Sequence, residues 1–392
     1  MNVTRLALHS PRAVREVLRC HGWDEALAQT AADSLNTIAF HLTELDQDAL
    51  EALVPFAGGL GLEVLTGDSW AILSGSRSRV SALARPWSVP EPLAGVAAGV
   101  GQAMPADEGG NRWQTARGSL PLDHPVLVGI LNVTPDSFSD GGRFAAIETA
   151  LTQAESLLAS GATMIDVGGE STRPGRTAEV PAAEELRRVI PVLEALVREH
   201  PSLLLSIDTV KAEVARSALE AGAAVINDVS ALRLDPMMAE TVAKSDAGIV
   251  LMHSRGSILE VASYIHADYH GDVVGGVVRE LGDALERAAV AGIAPDATVI
   301  DPGFGFSKTV EQNLLLFDQL PALAALGRPI LVGPSRKRFL GSVTGLPVEE
   351  RDRATAVACA MAYERGARLF RVHDVASARE AVTLAQAVGG SA

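Results

Sequence analysis

Cysteine is scarce in this sequence. Cys20 and Cys359 are its only cysteines, and neither belongs to a Cys-x-x-Cys pair. This excludes a disulfide framework of the kind that supports small secreted proteins. We therefore interpret both residues as buried small apolar side chains in a protein of a reducing compartment.

Basic residues are too few to balance the acidic ones. Lys and Arg total 33 against 48 Asp and Glu, which gives a formal charge of −15. A surface of this sign repels a polyanion, so the composition argues against a general nucleic-acid binder. It still allows a small phosphorylated ligand, because a local cationic pocket does not need a basic protein.

Long apolar runs are also lacking. The N-terminus contains no apolar core of signal-peptide length. The longest uncharged stretches, such as Leu93–Met104, are rich in Gly and Ala. They fall well short of the ~20 residues that a membrane-spanning helix needs. We expect a soluble cytoplasmic protein that binds neither nucleic acid nor a membrane.

Apolar material for a core is abundant. Hydrophobic residues make up 47% of the 392 residues and charged residues 21%, which excludes a mainly disordered chain. The length predicts two or three domains, although an α/β barrel takes ~250 residues as a single unit. Residues 101–112 are rich in Gly and polar residues without periodicity, so we predict a linker there.

Residues 1–100 are predicted to form a small α+β domain. The runs Leu62–Thr66 and Trp70–Ser74 are joined by Gly67-Asp68, a pair typical of a β-hairpin. No convergent set of polar residues suggests chemistry here, so we favour an assembly or interaction role over a regulatory domain or a second enzyme. The other predicted elements are a strand near Thr4–His9, helices from Pro11 and near Asp24–Asp33, a strand at Thr37–Leu42, a helix from Asp46 and a helix near Ser76.

Residues 113–392 show a different sequence pattern. After a candidate hairpin at Trp113–Leu122, a β-rich apolar run alternates with an amphipathic helix eight times. This alternation predicts right-handed βαβ units, and eight of them fit a closed (β/α)₈ TIM barrel; a doubly wound open sheet is the alternative. The runs are Val126–Leu131, Thr163–Val167, Leu203–Ile207, Val225–Ile226, Gly248–Met252, Thr298–Ile300, Ile330–Val332 and Leu369–Val372.

Polar residues stand at the ends of these runs. The carboxyl ends of barrel strands meet on one rim, where barrel enzymes build their active sites. One carboxylate there could simply cap the next helix, but polar residues at all eight ends favour a functional site. In chain order they are Asn132, Asp166, Asp208, Asn227 with Asp228, His253, Asp301, the segment that ends at Lys337, and Arg371 with His373.

Two loops at this rim are long for strand-to-helix connections. Residues 132–142 are polar and Gly-rich and include Phe138, whereas residues 168–175 carry Thr172 and Arg173 at the loop tip. Long loops on this face often act as lids. Two solvated loops without such a role are the alternative.

The charged residues of the rim favour an anionic ligand. A cationic cluster in an acidic protein needs an anion, and phosphate oxygens suit the guanidinium fork. Structural ion pairs with Asp or Glu are the alternative for each residue. The cluster would comprise Arg173, Lys337, Arg371 and His373.

The remaining polar residues favour a flat nitrogen heterocycle. Asp208, Asn227 and Asp301 offer fixed acceptors and an amide, which match alternating donors and acceptors. Asn132 offers a hard oxygen suited to Mg²⁺, whose other ligands would come from phosphate and water.

Long motifs in this part of the chain resemble those of the dihydropteroate synthase family. Gly129–Gly142 resembles the first signature of the family, and Ile165–Gly175 resembles the second. Asp301–Phe306, Ser335–Lys337 and Arg371–Asp374 match further family motifs. The resemblance runs in order from about Trp113 to the end of the chain and does not include residues 1–100, which the usual enzyme lacks.

The resemblance implies a barrel enzyme of folate biosynthesis. Such an enzyme joins 6-hydroxymethyl-7,8-dihydropterin diphosphate to 4-aminobenzoate and releases 7,8-dihydropteroate and diphosphate. Sulfonamides occupy the aminobenzoate pocket. Mg²⁺ is the implied cofactor, with Asn132 as its ligand, and we expect a homodimer.

The resemblance also implies roles for the rim residues. The pterin would contact Asp208, Asn227, Met252, Asp301, Phe306, Lys337 and Arg371. The diphosphate would contact Thr172, Arg173, Arg371 and His373. The aminobenzoate pocket would be shaped by Phe138, Thr172, Pro174, Phe306 and Lys337. The catalytic residues would be Asp208, Asp301, Lys337, Arg371 and His373. Arg338 follows Lys337 where some members have a Ser that helps to place the benzoate carboxylate, so this chain departs from the pattern there.

Two other functions would use the same pterin contacts. A related methyltransferase passes a methyl group from methyltetrahydrofolate to a corrinoid but has no use for a diphosphate cluster. A pterin-binding module without catalysis is the non-enzymatic alternative. Thr172 and Arg173 together with Arg371 and His373 argue against the first. The retained Asn132, Arg173, Lys337 and His373 argue against the second.

Overall fold

The computed structural model describes residues 37–84, 89–104, 112–133, 142–170 and 178–389, with a few isolated positions before them. The chain divides into two compact units, Met1–Pro105 and Ala106–Ala392. The strand predicted near Thr4–His9 lies outside the described residues, as do most of the helices predicted from Pro11 and near Asp24–Asp33.

The N-terminal unit contains a three-stranded antiparallel sheet. Its strands are β1 (Thr37–Leu42), β2 (Glu63–Thr66) and β3 (Ala71–Ser76), in the order β1-β3-β2. The predicted hairpin is confirmed, because β2 and β3 pair in antiparallel register from Glu63 with Ser74 to Thr66 with Ala71.

The helices of this unit cover the sheet with apolar side chains. They are α1 (Gln47–Gly59), α2 (Arg77–Leu83) and α3 (Ala94–Ala103). Helix α1 begins where the sequence predicts it, and the Asp46 carboxylate caps it by accepting from the Ala49 N–H at 2.7 Å. Leu53, Leu73 and Leu83 are fully buried in the resulting core.

Helix α3 is not predicted by the sequence pattern. Its glycines lower helix propensity, and it extends into the stretch predicted as a linker. The helix forms because Val96, Ala97 and Val100 lie on one face and are buried. Tertiary packing therefore outweighs local propensity here.

The C-terminal unit is a closed barrel of eight parallel strands. This confirms the (β/α)₈ prediction and shows that the open-sheet alternative is wrong. A two-stranded hairpin, β4 (Arg112–Thr115) and β5 (Gly118–Pro121), precedes the barrel. The barrel strands are β6 (Val126–Asn132), β7 (Met164–Gly168), β8 (Leu204–Asp208), β9 (Val225–Asp228), β10 (Gly248–Met252), β11 (Thr298–Asp301), β12 (Ile330–Val332) and β13 (Ala367–Val372). Pairing of β13 with β6 closes the ring.

Helices follow the strands around the barrel. They are α4 (Gly142–Ala159), α5 (Ala182–Glu199), α6 (Ala212–Glu220), α7 (Met238–Ala243), α8 (Val273–Val290), α9 (Val310–Asp318), α10 (Arg338–Thr344), α11 (Asp352–Glu364) and α12 (Val375–Gly389). Among the helices of the described residues, none is both long enough and apolar enough to span a membrane.

An apolar layer fills the interior at the amino ends of the strands. Side chains alternate along a strand, so residues two apart share the interior. The hairpin residue Trp113 joins this layer, and its indole Nε1 donates to the Ala297 carbonyl at 2.9 Å. The layer contains Trp113, Leu122, Val126, Val128, Met164, Val225, Val250, Val299, Leu331 and Leu369.

Removal of the Trp113 ring tests the packing of this apolar layer. Trp113→Ala should lower the free energy of unfolding of the barrel by about 3–5 kcal/mol, because a large buried ring is replaced by a cavity. Urea denaturation followed by far-ultraviolet circular dichroism measures the change. Trp113→Phe retains most of the ring volume and should lose less. An Ala variant as stable as the wild type would contradict the packing role of this side chain.

Candidate active site

The alternation of side chains that builds the apolar layer also places the polar residues. Two residues beyond Met164 comes Asp166, and the same step leads from Val225 to Asn227 and from Val299 to Asp301. The interior therefore changes from apolar to polar towards the carboxyl ends of the strands. Met252 and Arg371 stand at the same step beyond Val250 and Leu369, whereas Asn132 and Asp208 come four residues beyond Val128 and Leu204. The polar layer comprises Asn132, Asp166, Asp208, Asn227, Met252, Asp301 and Arg371.

Asp228 illustrates the opposite orientation. It directly follows Asn227, but its carboxylate accepts from the N–H groups of Ser230 at 2.8 Å and Leu232 at 2.7 Å. Asp228 therefore organises the next loop, as a capping residue would. The sequence presented both residues at the end of the same run, and only strand geometry separates their roles.

Arg371 lies at the centre of the polar layer. Its Nε donates to Asp166 Oδ2 at 2.5 Å, and its Nη2 donates to Asp208 Oδ2 at 2.7 Å. Asp166 Oδ2 also accepts from Asn227 Nδ2 at 3.0 Å. One network thus links side chains from β7, β8, β9 and β13.

The charges of this network offset each other. Burial raises the pKa of Asp208 to about 7, although Arg371 acts in the opposite direction. Burial disfavours the Arg371 cation, but Asp166 and Asp208 outweigh that effect and hold its pKa above the ordinary value. Arg371 of the predicted cationic cluster is therefore paired with carboxylates, which is the alternative given for each residue of that cluster.

Lys337 approaches the same space from the loop after β12. Its Nζ lies 3.6 Å from the centroid of the Phe306 ring. Burial and the nearby Arg371 lower the pKa of Lys337 to about 7, although Asp301 and Asp208 raise it. A side chain at Gly305 would be strained, because its φ is +80° and a Cβ would lie 2.8 Å from Lys337 Cδ.

Asp301 faces the same cations. Its Oδ1 accepts from the Gly303 N–H at 2.7 Å. A Cβ on Gly333 would lie 3.9 Å from both Asp301 Oδ2 and Arg371 Cβ, so these side chains border the same space. Burial raises the pKa of Asp301 to about 6, and Lys337 is among the groups that limit the rise.

An apolar patch lies beside the polar layer. Met252 and Phe306 belong to one buried cluster, as the predicted pterin pocket requires. The cluster combines Val210, Val229, Met252, Ile258, Val261 and Phe306. A flat ring could contact this patch with its face while its edge meets the polar side chains.

His373 and Arg338 occupy the edge of the site. His373 Nδ1 lies 2.9 Å from Ser335 Oγ, which fixes the ring next to the loop that carries Lys337. The Arg338 guanidinium lies 3.9 Å from the centroid of the Tyr264 ring. It is therefore turned towards the segment after β10.

Four predicted site residues lie outside the described residues. They are Phe138, Thr172, Arg173 and Pro174. The described residues on either side of the last three contact each other. Glu170 Oε1 accepts from the Val180 N–H at 2.9 Å, and Glu170 Oε2 pairs with Lys211, whose Nζ also lies 2.6 Å from Glu185 Oε2.

Asp166 and Lys308 are the main residues without a predicted role. Asp166 stands at the end of a predicted strand, and its spacing from Met164 is the signal that identifies it as an interior residue. Its Oδ1 is buried without a hydrogen-bond partner among the described residues. Lys308 is only 1% exposed. The sequence around Lys308, a Gly-rich loop, does not indicate that its side chain is buried, and lysine is rarely buried in proteins.

The donors present fit a magnesium ion only in part. Within the described part of the chain, no group of three or more His, Cys, Asp or Glu side chains is arranged to hold a metal. Asn132 ends β6, and its Oδ1 lies 3.7 Å from the point where a Cβ of Gly168 would stand. One neutral oxygen suits Mg²⁺ when substrate phosphate and water complete the coordination.

The C-terminal unit is similar to known proteins. The family model described as "Pterin binding enzyme" matches residues 128–373. A protein of Synechocystis sp. named dihydropteroate synthase is 44% identical over 263 residues, which cover 67% of this chain and 89% of that protein. A Bacillus subtilis protein of the same name is 41% identical over 250 residues, covering 64% of this chain and 84% of that protein.

Solved structures show the same similarity. Dihydropteroate synthase of Xanthomonas albilineans with 4-aminobenzoic acid has a TM-score of 0.65 and 47% identity, covering 71% of this chain and 98% of that chain. The Yersinia pestis enzyme with a sulfonamide drug complex has a TM-score of 0.65 and 39% identity, covering 71% and 99%. The family match begins at residue 128 and so includes none of the N-terminal unit.

Loss of the Lys211 charge tests the anchor beside residues 171–177. Lys211→Met should lower the free energy of unfolding by about 3–5 kcal/mol, because it leaves the buried Glu185 carboxylate without its cation. Lys244→Met is the matched control, since the Lys244–Glu240 pair is exposed and worth about 0.5 kcal/mol or less. Urea midpoints compare the two variants, and equal midpoints would contradict the structural role of Lys211.

Proposed function

The chain belongs to the pterin-binding enzymes, and we propose from its own residues how it carries out the dihydropteroate synthase reaction. The reaction joins 6-hydroxymethyl-7,8-dihydropterin diphosphate to 4-aminobenzoate and releases 7,8-dihydropteroate and diphosphate. The observation that carries the proposal is the buried network of Arg371, Asp166, Asp208 and Asn227 beside Asp301 and Lys337. It offers both donors and acceptors at one edge of an apolar patch.

The pterin binds where the polar layer meets that patch. Carboxylate oxygens of Asp208 and Asp301 accept from ring N–H groups, while Asn227 and Lys337 supply donors. Met252 and Phe306 contact the ring face. The Arg371 guanidinium stacks on the pterin ring, while its hydrogen bonds to Asp166 and Asp208 fix the orientation of the guanidinium plane.

The diphosphate lies towards the loops of the rim. Thr172, Arg173, Arg371 and His373 are the proposed contacts, and the Ser335 contact keeps His373 on the side of Lys337. Mg²⁺, held by Asn132 together with substrate oxygens and water, would neutralise charge on the leaving group.

The chemical step is a displacement at the methylene carbon of the pterin substrate. The bond from this carbon to the diphosphate oxygen breaks, and its electron pair leaves with the diphosphate. The aminobenzoate nitrogen forms the new bond and then loses a proton. Asp208 and Asp301 stabilise the positive charge that spreads into the pterin ring. An arylamine is already neutral at pH 7, so no strong general base is required.

The aminobenzoate pocket is proposed beside Phe306 and Lys337. Their stacked arrangement places an apolar ring next to a donor that suits a benzoate. Phe138, Thr172 and Pro174 are the remaining proposed contacts. Arg338 is turned towards Tyr264, so it does not take over the role of the Ser found there in some members.

Synthesis from purified components tests the function. We expect dihydropteroate to form from the pterin diphosphate and 4-aminobenzoate, with Mg²⁺ required and sulfonamides competing with 4-aminobenzoate. Chromatographic measurement of the product with and without chelator checks this. A folded preparation that forms no product from both substrates would contradict the proposal. Inhibition that 4-aminobenzoate cannot relieve would contradict the shared pocket.

Substitution of the two central cations tests the site. Arg371→Ala and Lys337→Ala should each lower kcat/KM on the order of 10²-fold or more, because a preorganised electrostatic contact is lost. Steady-state kinetics on variants that retain the wild-type circular dichroism spectrum measures this. Arg279→Ala is the control, since Arg279 pairs with Asp272 at the protein surface. Near-wild-type rates in both folded variants would show that the site is misplaced.

The division of labour between the units is also a proposal. Every residue assigned to chemistry lies in the unit that begins at Ala106, so a chain starting near residue 111 should bind pterin diphosphate.

We propose that the enzyme is a cytoplasmic homodimer, supported by exposed apolar side chains on α10 and α11, including Val343 and Val357. Calorimetry and light scattering on the full and shortened chains test both points. A soluble, folded short chain without binding would contradict the first, and a monomeric full chain would contradict the second.

A further inference from the structure

A buried lysine outside the proposed substrate contacts holds the loop after β11. Lys308 Nζ lies 2.9 Å from His253 Nδ1, 3.2 Å from the Gly303 carbonyl oxygen and 3.1 Å from the Phe306 carbonyl oxygen. An ammonium group has three N–H donors, and each has an acceptor here. The two carbonyls belong to the loop that connects Asp301 with Phe306.

A chain of polar groups continues from Lys308 to the surface. His253 Nδ1 accepts from Lys308, so its Nε2 carries the hydrogen and donates to Glu280 Oε2 at 3.0 Å. Burial lowers the pKa of His253 to about 4, which keeps the ring neutral near pH 7. Glu280 also pairs with Arg255, whose Nε donates to Glu280 Oε1 at 2.9 Å. The cation of Lys308 thus has a carboxylate at the far side of a neutral imidazole.

The loop itself has little freedom to adjust. Gly303 has a φ of +68°, and a Cβ there would lie 2.0 Å from the His253 carbonyl oxygen. Its N–H donates to Asp301 Oδ1, while its carbonyl accepts from Lys308. Asn313 holds the middle of the loop by accepting from the Gly305 N–H at 2.7 Å. A shift of Lys308 would therefore reach both Asp301 and Phe306.

The charges around Asp301 and Lys308 act on one another. Lys308, Lys337 and Arg371 all favour the ionised form of Asp301. Burial lowers the pKa of Lys308 to about 7, while Asp301 and Glu280 raise it and Arg255 and Lys337 lower it. Near pH 6 Lys308 is mainly a cation, so its removal should raise the pKa of Asp301.

We propose that Lys308 is a positioning residue for the synthase reaction: it places Asp301 and the Phe306 ring for the pterin, and its charge, supported through His253 by Glu280, keeps the Asp301 carboxylate ionised. This inference rests on the proposed function. Lys308 acts through other residues and need not touch a substrate.

Lys308→Met tests the proposal, because Met has a similar length but neither charge nor donors. The affinity for pterin diphosphate, measured by calorimetry from pH 5 to 8, should decrease as the pH falls and Asp301 becomes protonated. In Lys308→Met we expect this decrease to begin at a higher pH than in the wild type. At pH values below both pKa values of Asp301, each unit by which the variant raises this pKa weakens binding about tenfold. KM for 4-aminobenzoate should also rise, because Phe306 is no longer held.

Two further variants make the test decisive. Trp113→Ala should lower stability without moving the pH profile, since Trp113 lies at the opposite end of the barrel. Glu280→Gln alters the partly exposed end of the polar network that runs from Lys308 through His253 to Glu280. It should move the pH profile of pterin diphosphate binding in the same direction as Lys308→Met, but by less. It serves as the test if Lys308→Met does not fold.

The outcomes separate the two proposals. A wild-type protein that neither binds the pterin diphosphate nor forms product would overturn the proposed function, and this inference with it. An active wild type whose pH profile is shared by a folded Lys308→Met, or by Glu280→Gln when Lys308→Met does not fold, would overturn the inference alone. A profile displaced to the same extent in Trp113→Ala would also overturn it, because the effect would then follow stability.

Discussion

The guanidinium of Arg371 makes the polar end of this barrel possible. Asp166 and Asp208 are carboxylates in the interior of a closed sheet, where an unpaired charge would be strongly destabilising. Arg371 contacts both, and it lies on β13, whereas they lie on β7 and β8. The three strands come together only because β13 pairs with β6 and closes the ring. The site therefore depends on barrel closure.

The same principle recurs in the loops that surround the site. Lys211 lies between Glu170 and Glu185 and holds the chain next to residues 171–177. Lys308 holds the loop that connects Asp301 with Phe306. In both places a lysine ammonium organises backbone or carboxylate groups beside the loop. Such fixed dipoles and charges favour catalysis because they need little rearrangement in the transition state.

The rim residues are not cations alone, because Arg371 and Lys337 lie beside carboxylates. Burial and mutual interaction bring the pKa values of Asp208 and Lys337 to about 7 and that of Asp301 to about 6. Values displaced towards neutrality by burial and by specific charged neighbours are typical of groups at functional sites.

The sequence by itself determined the number of barrel strands, their places in the chain and the family, because alternating β and α patterns and long motifs are local signals. Asp208, Asn227, Asp301, Lys337 and Arg371 could be named from strand ends and motifs. Only the tertiary structure decided that Asp166 pairs with Arg371, that Asp228 caps a loop beside the inward Asn227, and that Lys308 is buried against His253. Helix α3 likewise forms because the core of its unit covers Val96 and Val100. These outcomes depend on which side chains a closed, twisted sheet brings together across long separations in the chain, and no local pattern encodes those distances.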